Sequence, residues 1–260
     1  PTPPAMTERQ IGPPTEITGG TVSTIQVGEL QATVFRPDGV RLGRKPRVWL
    51  HFHTAPWFIV NEFQRAGWKV PLVVFNFGQG SKVYGDPFAL PGSFAAWQEQ
   101  IFHALGIKQA QWGVTSFSAG YGAVRNLISD KEFVKNLHTV ILADSMYGSL
   151  DPAATERTVA PEHLACWDAI VLPALKKKMR VVMTTSEITP DSYAGTWEVA
   201  QGLVRTHGGE MVPHETTEPF GLLRTFDRGS WHVWSYDGHT PEAHMTHPRH
   251  LAELLIESQK

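Results

Sequence analysis

The sequence predicts an α/β protein built on a mostly parallel central sheet. Short, nearly continuous apolar runs recur along the chain, as strands buried on both faces of a parallel sheet do. Segments with helical spacing separate them. Ahead of both lie two β-branched runs split by Gly28 and Glu29, the mark of an antiparallel hairpin.

The hairpin strands are Thr21–Val27 and Leu30–Phe35. The buried-strand runs follow at Arg47–Phe52, Pro71–Phe75, Gln111–Thr115, Thr139–Ala143 and Arg180–Thr184. Helical spacing marks Phe58–Ala66, Ser93–Leu105, Ala119–Ile128, His163–Lys177 and Ala194–Thr206. A last strand near Trp231–Tyr236 leads to a final helix expected to open at Pro248, since proline suits the first helical position. An open sheet of this kind places its ligands beyond the carboxyl ends of its strands.

The chain has 260 residues, and 42% of them are hydrophobic, enough for one core without staples. One domain is expected over residues 21–260. Residues 1–20, opening PTPPAMTERQIGPPT, read as a tail or linker that packs little, not as a signal peptide. The formal charge of −2 argues against a nucleic-acid partner and against a basic membrane-surface protein. No apolar run is long enough for a membrane span. The single cysteine, Cys166, excludes a disulfide scaffold and a multi-cysteine zinc site. Of twelve histidines, five fall within positions 232–250.

The strand at Gln111–Thr115 runs into Ser116-Phe117-Ser118-Ala119-Gly120 and then a helical segment. A nucleophilic serine on a tight strand-to-helix turn needs small residues two places before and two after it. Ser116 and Gly120 meet that need around Ser118. The Ala119 N–H, at the start of a helix, would point where an oxyanion forms. The plainer alternative is an N-capping serine with no partner histidine.

Partners follow in the order acid, then histidine. Asp144 ends the next strand, while Glu187 and Asp191 stand in the loop after the strand beyond it. Asp144 follows directly on apolar strand residues and is the better fixed, as a triad acid must be. Among the histidines, His232 falls in the last strand, His239 and His244 follow it, and His247 and His250 fall on the final helix. His244 and His247, three apart, also allow a metal reading, but no HExxH pattern accompanies them.

From about residue 21 to its end the chain resembles the α/β-hydrolases. The motifs carrying the resemblance are LHFHTAPWF at 50–58, SFSAGYGA at 116–123, ADSMYG at 143–148 and AHMTHPRHLAELL at 243–255. The resemblance implies the α/β-hydrolase fold, with helices on both faces of the sheet. It also implies a serine esterase with Ser118 as nucleophile, His244 as base and Asp144 as acid, and no cofactor or metal. The turn after the third strand would form the oxyanion hole, with Thr54 in the usual glycine's place and Ala55 supplying a second N–H beside that of Ala119. Ser116 likewise stands in place of the first elbow glycine. The short segment from Ser145 to about Pro161 leaves no room for a large cap, and Trp57, Tyr147 and Tyr193 would surround the site. A small-molecule carboxylic ester is the expected substrate. The rivals are a serine peptidase or amidase, a non-catalytic binding protein of this fold, and a metal hydrolase.

Overall fold

The computed structural model describes residues 11–215 and 221–259. The expected hairpin is present as β1 (Gly20–Val27) and β2 (Leu30–Pro37). Then come β3 (Arg47–Phe52), helix α1 (Pro56–Arg65), β4 (Leu72–Phe75), α2 (Ser81–Gly85) and α3 (Phe94–Leu105). The middle of the chain supplies β5 (Gln111–Phe117), α4 (Tyr121–Leu127), α5 (Lys131–Val134) and β6 (Leu137–Ala143). After α6 (Pro161–Ala165) and α7 (Asp168–Leu175) come β7 (Arg180–Thr185) and α8 (Thr196–Thr206). The last elements are β8 (Val212–Pro213), β9 (Leu222–Arg228), β10 (Trp231–Tyr236), α9 (Pro241–Arg249) and α10 (Leu251–Glu257).

All strands join one sheet in the order β1-β2-β4-β3-β5-β6-β7-β10-β9-β8. The pairs from β4 through β3, β5, β6 and β7 to β10 are parallel; β2 meets β4 antiparallel, and β9 meets β10 the same way. Side chains of the parallel strands alternate between two apolar layers. Val48, Leu50 and Phe52 of β3 join the layer of α3, α4, α7 and α8, while Trp49 joins that of α1 and α10. Val140 and Leu142 of β6 likewise oppose Ile141 and Ala143. Double-sided burial is why these strands read as unbroken apolar runs. Truncating one such leucine to alanine costs about 2–5 kcal/mol.

Several expectations need correction. The expected final helix is two: α9 opens at Pro241, not Pro248, with Thr240 capping it by accepting from the Ala243 N–H and Pro241 in the first position, and α10 follows from Leu251. His244 therefore sits in the first turn of a helix, and Pro248 near that helix's end. The segment 163–177 is two short helices with a turn at Cys166 and Trp167. Strands β8 and β9 were not anticipated. Residues 11–19 of the expected tail, none of them buried, run along α1: Asn61 donates to the Thr15 hydroxyl, Gln64 to the Thr18 carbonyl, and Ile11 and Ile17 touch the apolar layer there. Residues 1–10 of the expected tail lie outside the described residues. Among the described residues no helix is long and apolar enough to cross a membrane.

Candidate active site

β5 runs into Ser118 with no intervening loop. Phe117 is still extended, Ser118 turns to φ 47°, and a helical turn over 118–120 begins at once. A positive φ on a residue with a side chain costs about 1–3 kcal/mol, so the surroundings must hold it there. Gly120 makes the close approach possible: a Cβ at this position would stand 2.3 Å from the Phe52 carbonyl oxygen. Ser116 turns its departure from glycine to use. Its hydroxyl donates to Ser145 Oγ at 2.8 Å, and Ser145 donates to the Ser118 carbonyl at 2.9 Å. This buried chain braces the elbow from the strand beside it.

Asp144 is the first residue past β6 and also takes a positive φ, 45°. Its carboxylate is fully buried and accepts from four donors. Oδ1 takes the Ser186 N–H at 2.8 Å and the Thr196 hydroxyl. Oδ2 takes the Ser186 hydroxyl at 2.7 Å and Nδ1–H of His244 at 2.5 Å. Burial favours the neutral acid, but His247, His244 and the donors around the carboxylate outweigh it. They hold the carboxyl well below its ordinary range.

His244 is as buried as its partner. With Nδ1 donating to Asp144, the lone pair of the neutral ring lies on Nε2. That nitrogen is buried and has no hydrogen-bond partner. The ring packs on Phe117, the residue before Ser118, with centroids 4.4 Å apart.

The turn after β3 holds two consecutive non-glycine residues at positive φ, His53 at 71° and Thr54 at 146°. The glycine-like backbone is thus retained although glycine is not. His51 braces the turn from below. Its Nε2–H donates to the His53 carbonyl at 3.0 Å while Nδ1 accepts from Thr115, and His53 Nδ1 lies 2.9 Å from the Tyr84 hydroxyl. Burial pushes His51 down to about 3 and His53 to about 4, the latter also feeling His244, so both are neutral near pH 7.

A cavity of about 480 Å³ opens over Ser118 and Ala119, walled by His53, Tyr121, Tyr147 and Tyr193. Neither Ala55 nor Trp57 lines it; Ala55 caps α1 and Trp57 packs against the layer beneath. The Tyr147 phenol is pushed well above its ordinary value by burial and by the Asp144 charge, and a hydrogen bond with the Ser118 side chain opposes that rise. Sequence reasoning set Tyr147 at the rim; it lies against the serine itself. His53 was missed, and the only signal for it was its place beside the presumed oxyanion turn.

The competing residues lie elsewhere. Glu187 pairs with Arg224 at 3.0 Å and with the exposed His239, whose Nδ1–H donates to the Glu187 carbonyl at 2.7 Å. The Asp191 carbonyl accepts from Arg157, and His232 pairs with Asp227. His247 Nδ1 bonds to the Thr184 hydroxyl at 2.7 Å. Among the described residues no three histidine, cysteine or acidic side chains converge to hold a metal ion.

No family model and no curated protein matches the chain. Among solved structures it is similar to a mutant of the esterase rPPE, with a TM-score of 0.51 at 12% identity over 96% of this chain and 84% of that one. An arylesterase gives a TM-score of 0.51 at 11% identity, covering 97% and 90% of the two chains. The carboxylesterase CesB (YbfK) from Bacillus subtilis gives 0.51 at 7% identity, covering 97% and 94%. At such identities the likeness is one of fold.

Proposed function

We propose that this chain, which has the α/β-hydrolase fold, is a serine hydrolase that cleaves carboxylic esters through an acyl-enzyme. The reading rests on one observation above the rest. A fully buried Asp144–His244 pair leaves a bare Nε2, on a ring packed at a tilt against the residue preceding a serine held at positive φ. An N-capping serine has no use for such a pair.

In this mechanism His244 Nε2 takes the Ser118 proton as Oγ attacks the ester carbonyl. Asp144 holds the ring in the required tautomer and stabilises the imidazolium. The oxyanion rests on the Ala119 N–H and on a second donor from the turn at 53–55; the resemblance gives that role to Ala55, which does not itself line the cavity. Each donor is worth roughly 10²–10³ in rate in serine hydrolases. His244 then protonates the leaving alcohol, and water repeats the cycle on the acyl-enzyme. Tyr147 would orient the Ser118 hydroxyl before substrate arrives. The three solved relatives named above are called esterases, which supports the choice of ester over amide.

A fluorophosphonate probe followed by peptide mapping tests the proposal. The expected adduct is on Ser118, and Ser118→Ala should abolish both labelling and hydrolysis of p-nitrophenyl esters. Labelling of a different serine, or full activity in Ser118→Ala, would overturn it.

A further inference from the structure

Among the described residues lining the cavity, Arg125 is the only one bearing a formal charge near pH 7. It lies on α4 about two turns beyond Ser118, about 10 Å along the helix at 1.5 Å per residue. Helical side chains lean toward the N-terminus, and the guanidinium accordingly comes back over the Tyr121 ring, 5.6 Å from its centroid. No carboxylate of the described residues lies within ion-pair distance of it. Half-buried, facing the cavity and with no acid partner among the described residues, Arg125 offers its charge to an anion that enters.

The wall beside it is built to aim the cation, not to neutralise it. Arg125 Nη1 donates to His163 Nδ1 at 3.3 Å, and the Ser149 N–H donates to the same nitrogen at 3.2 Å. An Nδ1 that accepts two hydrogen bonds belongs to a neutral imidazole with its proton on Nε2. Burial and the Arg125 charge both push His163 below its ordinary value, in agreement with that tautomer. The remaining guanidinium donors form a planar fork suited to a carboxylate.

Resting on the hydrolase reading above, we infer that the preferred substrates are esters carrying a carboxylate a few bonds from the scissile carbonyl, held by Arg125. The cation would fix the substrate end that does not react, so the ester carbonyl meets Ser118 in one orientation.

Two matched substrate pairs test this: 4-nitrophenyl hydrogen adipate against 4-nitrophenyl hexanoate, and 4-acetoxybenzoate against 4-acetoxybenzamide. In at least one pair the charged member should have the higher kcat/KM by about ten-fold or more, the worth of a charged hydrogen-bonded contact. Arg125→Met should bring that ratio close to one, and Arg125→Lys, which keeps the charge without the fork, should restore part of it. Calorimetry needs no turnover. Adipate should bind the Ser118→Ala protein, adipamide should not, and adding Arg125→Met should weaken adipate binding about ten-fold. Ratios near one in both pairs, or adipate binding indifferent to Arg125, overturn the inference and leave the hydrolase reading standing. Arg125-dependent adipate binding without any ester hydrolysis supports the anion site and overturns the hydrolase reading instead.

Discussion

Replacing Asp144 by asparagine changes one atom, and the structure says what that atom does. Oδ1 can remain the oxygen, still accepting from the Ser186 N–H and Thr196. The new amide nitrogen then replaces Oδ2, which now accepts from both the Ser186 hydroxyl and His244 Nδ1–H. Donor would face donor. The hydroxyl can rotate away, but the imidazole can adapt only by moving its proton to Nε2, so that Nδ1 accepts from the amide. That tautomer presents a donor to Ser118 where a base is needed. Flipping the amide does not help, because its nitrogen would then face the fixed Ser186 N–H. We expect kcat/KM for a p-nitrophenyl ester at pH 7 to fall by about 10³–10⁴, or roughly 4–5.5 kcal/mol of transition-state stabilisation. Fluorophosphonate labelling of Ser118 should slow in parallel. Glu187→Gln, made alongside, should stay within about two-fold of the parent, since Glu187 serves Arg224 and His239 outside the cavity. An Asp144→Asn protein keeping a tenth of its activity, or a greater loss in Glu187→Gln, would refute the assignment of the acid.

Two further outcomes follow from packing and burial. Gly120→Ala puts a carbon 2.3 Å from the Phe52 carbonyl oxygen, so urea unfolding should show a loss of about 2–4 kcal/mol and kcat should drop as the elbow shifts; a midpoint within error of the parent would contradict this contact. Burial lowers His51 to about 3 and His53 and His247 to about 4, whereas in the unfolded chain they titrate near 6.5. The unfolded state thus binds more protons between these values, so stability is full above pH 6.5 and declines as pH falls toward 4. Asp144, held low, adds a loss only on further acidification. Urea unfolding at pH 7 and pH 5 measures the difference, about 2 kcal/mol per buried histidine at most over that interval; equal stabilities would show that these rings are hydrated.

What could be read from the sequence follows from which signals are local. β3 agrees with the sequence residue for residue because double-sided burial writes itself as a nearly unbroken apolar run, and β10 agrees as well although it alternates buried and half-buried positions. β9 escaped because Leu222–Arg228 mixes half-buried and exposed positions with no clean alternation. The Gly229-Ser230 step between it and β10 was the available hairpin signal. Pro248 drew attention from Thr240 and Pro241, a better cap and first turn. For the site, Ser118 was legible because an elbow is a local geometry with local steric demands. The preference for Asp144 over Glu187 rested on rigidity alone, and the contacts that support it come from Ser186, Thr196 and His244, up to a hundred residues away. No periodicity encodes those contacts, nor the support that His163 gives Arg125.

With Asp144, just past β6, as the proposed acid, the loop after β7 has a divided character. Its two ends, Ser186 and Thr196, are bound to Asp144. The stretch between them carries Tyr193 to the cavity wall. Arg157 pins it by gripping the Pro190 and Tyr193 carbonyls. In engineering terms this is a cassette with fixed sockets. On the proposed assignment of the acid to Asp144, residues 189–193 can be exchanged to recontour one wall of the pocket while Asp144 and His244 stay put, with Ala194 still paired to Gly148 and Gly195 kept where a Cβ would stand 2.3 Å from the Ile188 carbonyl oxygen.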